Sequence, residues 1–101
     1  MQVVITARHM TLTDQMKDHI ERKANKLTKY YDRIQQIDVV VDNADAAVTV
    51  EVVVNAEHKT EFVSRVSAND VFSAMDVVVD KLERQLSDHK ERFRNRKHPP
   101  H

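Results

Sequence analysis

The sequence predicts an α+β fold: a two-layer β-α-β-β-β-α sandwich in which two helices cover one face of a four-stranded sheet. Three observations predict it. The chain has 101 residues, which is enough for one domain with one core. Four short segments alternate apolar and polar side chains, as strands with one solvated face do. Two longer segments repeat apolar residues every three or four positions, as amphipathic helices do.

The first three elements form a β-α-β unit. Residues 2–8 are rich in β-branched side chains and are predicted to be a strand. Thr13 suits the N-cap of a helix over residues 14–31, and residues 35–42 alternate as the second strand. A helix between two strands predicts a parallel pair joined by a right-handed crossover. The predicted apolar stripe of this helix is Met16, Ile20, Ala24, Leu27 and Tyr31.

The second half of the chain predicts two more strands and a closing helix. Residues 47–56 and 60–67 continue the alternation, and short polar turns predict that they pair antiparallel with their neighbours. Asn69 is the expected N-cap of a helix that runs to about Arg94. The predicted core stripe of this helix is Phe72, Met75, Val79, Leu82, Leu86 and Phe93.

The composition excludes several classes of protein. The chain has no glycine, so it has no phosphate-cradling P-loop, dinucleotide fingerprint or nucleophile elbow. It has no cysteine, which excludes disulfides and thiolate chemistry and fits a reducing cytoplasm. Its apolar runs are too short to predict a membrane span. We expect one domain over residues 1–95, a flexible basic tail over 96–101, and no catalytic residue, metal site, cofactor or small-molecule substrate.

The charge is segregated although the formal net charge is zero. Residues 1–33 carry seven basic and four acidic side chains, net +3. Residues 34–68 carry two basic and six acidic side chains, net −4, and residues 69–101 carry seven and six, net +1. Basic groups that share one face can bind a polyanion even when the total charge is zero.

The basic side chains of the two predicted helices define the candidate interface. At helical periodicity, those of the first helix fall on one ridge beside its apolar stripe. The second helix has a basic C-terminal half, so adjacent helices would place two basic ridges along one groove, where they would neutralise RNA phosphates. The other reading is a solvated surface in which pairs such as Asp80 and Arg84 cancel. The predicted RNA-binding residues are Arg22, Lys23, Lys26, Lys29, Arg33, Lys81, Arg84, Lys90, Arg92 and Arg94.

Two separated motifs carry a resemblance to a known family. The first includes Lys23 and Lys26-Leu27 and ends in Tyr30-Tyr31-Asp32-Arg33-Ile34. The second, the run from Asn69 to Asp76, continues into Asp80-Lys81-Leu82-Glu83-Arg84-Gln85-Leu86 and His89-Lys90. In this order they resemble the ribosome hibernation-promoting factor and ribosome-associated inhibitor family, in its short form.

The resemblance implies a fold related to the double-stranded RNA-binding domain and a cytoplasmic protein. It implies binding to the rRNA of the small ribosomal subunit, in the channel for messenger and transfer RNA, and a block of translation in stationary phase. A separate ribosome modulation factor would then help to form inactive ribosome dimers, whereas a related short inhibitor stabilises single ribosomes. The brief basic tail favours the promoting type. The positions that match the family's basic residues are Lys23, Lys26, Arg33, Lys81, Arg84 and Lys90.

Two other functions remain open from the sequence alone. A two-layer α+β domain also suits a general double-stranded RNA-binding module. The acidic segment over residues 34–68 suits a protein-interaction surface on the sheet. An enzyme is the class that the sequence favours least. Lys23 and Lys26 have no obvious acidic partner along the chain except Asp32 or the neighbours of His19, so they are expected to be the most available RNA contacts.

Overall fold

A computed structural model describes residues 1–44 and 46–97, with side chains as far as Arg92. The order of elements is the predicted one, and the strand bounds agree with the prediction to within one residue. The predicted α+β fold is confirmed. The elements are β1 (Gln2–Arg8), α1 (Asp14–Lys26), β2 (Ile34–Asp42), β3 (Val48–Ala56), β4 (Glu61–Ala68) and α2 (Val71–Lys97).

The sheet is mixed, with strand order β1-β2-β3-β4. β1 pairs parallel with β2, and Val3 lies opposite Ile37. β2, β3 and β4 pair antiparallel. The parallel pair needs a crossover, and α1 supplies it, whereas the antiparallel pairs need only short turns. The predicted pairing of all four strands is therefore confirmed.

The core lies between the helices and one face of the sheet. Alternate residues of β2 and β3 point into it, so Val39 and Val52 are fully buried while their neighbours Val40 and Val53 are only partly buried. Each fully buried Leu or Ile side chain contributes about 1.5–3 kcal/mol relative to exposure. The helices supply the other side of the core, with Ile20, Ala24, Leu27, Val71, Ala74, Met75, Val78, Val79, Leu82 and Leu86.

The two helix starts differ in how well the sequence predicts them. Thr13 caps α1 as predicted, because its Oγ1 accepts the Met16 N–H at 3.1 Å. The prediction of Asn69 as the cap of α2 is wrong. Asp70 caps it: its Oδ1 accepts the Ser73 N–H at 2.8 Å, and its Oδ2 accepts the Ser73 hydroxyl at 2.9 Å. With Asp70 as the cap, the helix starts one residue later than predicted, at Val71, which is buried in the core.

The helix ends also depart from the prediction. α1 ends at Lys26 and tightens into a 3₁₀ turn over Leu27–Lys29, which the Tyr30 N–H closes on the Leu27 carbonyl at 3.0 Å. Tyr31 therefore leaves the predicted stripe of α1 and packs edge-on against Phe62 and His89. α2 continues to Lys97, three residues beyond its predicted end. Phe93 lies outside the described side chains, and Phe72 is only half-buried, at the surface of the core.

The turn between β3 and β4 is strained because the chain has no glycine for it. His58 and Lys59 have φ angles of 62° and 58°, in the left-handed region that costs other residues roughly 1–2 kcal/mol each. Two contacts hold the turn. The Ala56 N–H donates to the Thr60 carbonyl at 2.8 Å, and Arg33, the residue before β2, donates to the carboxylate of Glu57 at 2.9 Å.

Candidate nucleic-acid interface

The two helices lie side by side and run in the same direction. Arg8, the last residue of β1, lies in the same row of the sheet as Ser67, near the end of β4. The helices that follow these two strands therefore start at the same end of the sheet. Their contacts keep a constant register. His19 and Lys23 of α1 meet Asp76 of α2, and Lys26, seven residues after His19, meets Glu83, seven residues after Asp76. Both helices therefore run towards the opposite end of the sandwich, where α1 ends beside Glu83 and α2 continues to Lys97.

These five residues form what we call the interhelical seam: His19, Lys23, Lys26, Asp76 and Glu83. The Nε2 atom of His19 lies 2.8 Å from Oδ1 of Asp76, and the His19 side chain is only 15% exposed. Its ring packs edge-on against Phe72, with centroids 5.1 Å apart. Lys23 Nζ lies 3.5 Å from the same carboxylate oxygen, and Lys26 Nζ lies 4.0 Å from Oε1 of Glu83.

The seam corrects one expectation from the sequence. Lys23 and Lys26 do have acidic partners, Asp76 and Glu83, on the other helix. Partly exposed ion pairs of this kind are worth at most about 1 kcal/mol, because water screens them. A phosphate can therefore compete for these two lysines, but it must first replace a carboxylate.

Glu83 gives the seam a local negative charge. Its side chain is 16% exposed, and its Oε1 atom is buried without a hydrogen bond from any described residue. The charge of Glu83 raises the pKa of the neighbouring Tyr30 hydroxyl above its ordinary value, and burial adds to the effect. The floor of the seam is thus unfavourable for a phosphate unless a cation approaches with it.

Beyond the end of α1, the basic side chains lie in grooves rather than in the seam. A groove of about 260 Å³ lies between the 3₁₀ turn and α2, lined by Lys29, Tyr30, Ser87, Lys90 and Glu91. It adjoins a second groove of about 350 Å³, which shares Tyr30 and Ser87 and adds Arg84 with acidic neighbours. We call Lys29, Tyr30, Arg84, Ser87 and Lys90 the C-terminal groove.

The cations of the C-terminal groove are not neutralised as those of the seam are. Among the residues that the structure describes, no carboxylate lies within 4.0 Å of the charged groups of Lys29, Arg84 or Lys90. The pairing of Arg84 with Asp80, which the sequence left open, is therefore not formed. The C-terminus of α1 carries partial negative charge, which favours the cation Lys29 in the turn that follows. Three cations thus line the two adjoining grooves without an ion pair to a described carboxylate. The walls of the grooves also hold the carboxylates Asp80, Glu83, Asp88 and Glu91.

The other predicted residues lie outside this surface. Arg22 pairs with Asp18 at 2.9 Å on α1, with both side chains about two-thirds exposed. Arg33 pairs with Glu57 at 2.9 Å, and this hydrogen bond raises the pKa of the Arg33 guanidinium. Both pairs leave their arginines accessible at the surface.

Lys81 and Arg92 lie on the flank of α2 that faces away from α1. Lys81 and Glu83 stand on opposite sides of buried Leu82, and Glu83 faces α1. Arg92 lines a separate depression beside Phe62 of β4. The ten predicted residues therefore do not form two continuous ridges along one groove, and the side chain of Arg94 lies outside those described.

The sequence missed the carboxylates of the seam and the lining role of Ser87. Asp76 lies 57 residues from His19, and no local pattern predicts which acidic residue of α2 meets which basic residue of α1. One signal for these pairs was present in the sequence: His19 and Lys26 are seven residues apart, and so are Asp76 and Glu83. This shared spacing identifies the partners only once the two helices are known to be parallel.

The described residues contain neither a metal-binding cluster nor a membrane-spanning helix. No group of three or more His, Cys, Asp or Glu side chains there is arranged to hold a metal ion. Among the helices in that part of the chain, none has the length and apolar character needed to cross a membrane.

Comparison with known proteins identifies the family. Residues 3–94 match the sequence profile of the family described as Sigma 54 modulation protein / S30EA ribosomal protein. A ribosome hibernation promoting factor of Azotobacter vinelandii is 35% identical over 91% of this chain and 85% of its own length. The protein of that name from Escherichia coli K12 is 30% identical over 93% of this chain and 98% of its own length.

Two solved structures share the fold. A ribosomal subunit interface protein from Coxiella burnetii superposes with a TM-score of 0.82 at 20% identity, over 90% of this chain and 99% of that one. The N-terminal domain of Thermus thermophilus Protein Y gives 0.77 at 24% identity, over 88% and 99%. The profile match and the curated relatives confirm the resemblance stated from the sequence: this chain belongs to the S30EA ribosomal protein family, which includes the ribosome hibernation promoting factors.

Proposed function

We propose that this chain is a cytoplasmic ribosome hibernation factor. It binds the small ribosomal subunit through its rRNA, in the channel used by messenger and transfer RNA, and stops translation by occupying that channel without performing a reaction. The names of its relatives support a role on the ribosome. The observation that carries the RNA-binding mode is the C-terminal groove, where Lys29, Arg84 and Lys90 form no ion pair within 4.0 Å with a described carboxylate. Carboxylates share the walls of this groove, but none of them is paired with these three cations.

The ten cations take part in this binding to different degrees. Lys29, Arg84 and Lys90 make the central phosphate contacts, since their charges are available before RNA arrives. Lys23 and Lys26 contribute after a phosphate replaces Asp76 or Glu83, so each gives a smaller net gain. Peripheral contacts come from Arg22, Arg33, Lys81, Arg92 and Arg94.

The ribosome outcome proposed is the promotion of inactive dimers in stationary phase, together with a separate ribosome modulation factor. The alternative is the inhibitor type, which stabilises single inactive ribosomes. Sucrose-gradient profiles of ribosomes, with and without the chain and a modulation factor, separate the two. A dimer peak that requires both proteins supports the first, and a single-ribosome peak that resists dimerisation supports the second.

A matched pair of double variants tests the RNA-binding mode. Lys29→Glu with Lys90→Glu reverses two charges of the C-terminal groove, and Lys17→Glu with Lys59→Glu makes the same change at two exposed lysines elsewhere. In cosedimentation with small subunits at roughly 0.1 M salt, the groove variant should lose about 100-fold in affinity, since two phosphate contacts are lost. The control should stay near wild type.

Equal losses in the two variants would show that only total charge matters and would contradict a defined site. Wild-type chain that fails to sediment with small subunits would contradict the proposed function itself. A third arm uses protein-free duplex RNA. Equal affinity for the duplex and for the small subunit would favour the general double-stranded RNA-binding module instead.

A further inference from the structure

The face of the sheet opposite the helices is open over the described part of the chain, and its outward carboxylates outnumber its cations. Strand register places the outward side chains in rows across the four strands. The two central strands carry the carboxylates Asp38, Asp42 and Glu51. The cations, Arg8 and Arg65, lie on the two edge strands. We call this surface the open sheet face.

Two of the central carboxylates are held in place by neutral or weakly basic donors. Gln36 Nε2 donates to one oxygen of Asp38 at 2.7 Å, and Asn55 Nδ2 donates to the other at 3.1 Å. The Asp42 carboxylate accepts from the His9 ring at 2.9 Å, and this bond holds the pKa of Asp42 below its ordinary value. These contacts orient the carboxylates without cancelling their charge when His9 is neutral.

Glu51 is the most available of the three. It lies directly opposite Val40 of β2 and Arg65 of β4. Within the described residues, no cation lies within 4.0 Å of its carboxylate. A shallow depression of about 100 Å³ has Glu51 and Asp42 in its wall, together with Val40, Thr49, Arg8 and Arg65.

The same face also presents aliphatic surface. Val4, Val53 and Val63 stand in one row with Asp38, and Val63 is 45% exposed, although it is apolar. Valine rows beside carboxylates match the two parts of a lysine or arginine side chain, whose apolar stem packs on aliphatic surface while its charged head reaches an anion. An RNA backbone would instead bring its phosphates against the central carboxylates.

We propose that the open sheet face docks a basic protein segment, one in which lysine or arginine alternates with aliphatic side chains. The cationic heads lie over Asp42 and Glu51, and the aliphatic side chains pack on Val53 and Val63. Charge complementarity selects this partner over nucleic acid. The chain is then two-sided: the C-terminal groove takes a polyanion, and the open sheet face takes a polycation.

The probe for this surface is an eight-residue peptide that alternates lysine and valine, titrated into the ¹⁵N-labelled chain. Amide shifts should concentrate at Asp42, Glu51 and Val63. Glu51→Lys should weaken the affinity about fivefold, because an attraction becomes a repulsion. Glu21→Lys makes the same charge change at an exposed site on α1 and should leave the affinity unchanged.

Glu51→Gln removes the charge at nearly constant shape and should weaken the affinity about twofold. This variant keeps the test valid if Glu51→Lys fails to fold. Shifts confined to other surfaces, or equal effects of Glu21→Lys and Glu51→Lys, would overturn the proposal. So would equal binding of a glutamate–valine peptide, or an eight-nucleotide RNA that shifts the same amides.

Docking on the open sheet face can be tested independently of ribosome binding. The groove variant with Lys29→Glu and Lys90→Glu should keep its affinity for the lysine–valine peptide, because neither residue lies on the open sheet face. This variant is more negative by four charges, so a gain in affinity for the cationic peptide would show that the peptide responds to total charge and would count against the open sheet face.

Discussion

The interhelical seam and the C-terminal groove contain similar side chains but differ in what surrounds them. Lys23 and Lys26 of the seam face carboxylates of α2 at 3.5 and 4.0 Å. Lys29 lies one turn further along and lines a groove with Lys90, where no described carboxylate comes as close. A basic stripe on one helix is therefore not a uniform anion-binding surface, because the neighbouring helix decides which of its charges remain available.

The largest effect expected from this difference is a contrast between two single lysines. Lys90→Ala should lower affinity for small subunits about tenfold at roughly 0.1 M salt and reduce the salt slope by about one, since it removes one available phosphate contact. Lys23→Ala should lower it only about twofold, because Lys23 exchanges one anion for another. Sedimentation across a salt series measures both, and equal losses would remove the distinction between seam and groove.

A smaller effect is expected when the seam loses its carboxylate. Asp76→Asn removes the anion that His19 and Lys23 share, so unfolding free energy should fall by up to about 1 kcal/mol. Affinity for small subunits should rise about threefold, because Lys23 no longer has to leave a carboxylate. Urea unfolding and sedimentation test the two parts.

Glu21→Gln is the matched control for that change. Glu21 is exposed on α1, outside the lining of the C-terminal groove, and has no ion pair with a described residue. It should leave stability unchanged. If both variants gained the same affinity, net charge would be the cause and the seam would play no special part.

The smallest effect expected is on the titration of Tyr30. The charge of Glu83 raises the pKa of the Tyr30 hydroxyl, so Tyr30 keeps its proton at a pH where the unfolded chain has lost it. Stability should therefore fall as the pH rises through about 10, the unfolded value. Glu83→Gln should lower the pKa of Tyr30 and weaken this fall.

Ultraviolet titration of the tyrosines in Glu83→Gln follows that change directly. An unchanged Tyr30 titration would show that Glu83 does not set the electrostatics of the seam.

The elements themselves were predictable because their signals are local. The alternation through Val48, Val50, Val52 and Val54 depends only on the two-residue period of a strand, and these side chains do face the core. The predictions that failed concerned element ends. Tyr31 left the helical stripe because the 3₁₀ turn after Lys26 changed the direction of the chain, and a change of that kind has no strong local signal.

The sequence by itself determined the order of strands and helices, the apolar faces that make the core, the family, and the set of basic residues available for binding. The tertiary structure alone decided which of those charges are engaged. Backbone periodicity is set by neighbours three or four residues apart, whereas the ion pair between Lys23 and Asp76 forms only when two helices pack in parallel at a particular register. The same packing leaves Lys29, Arg84 and Lys90 in two adjoining grooves beyond the end of α1.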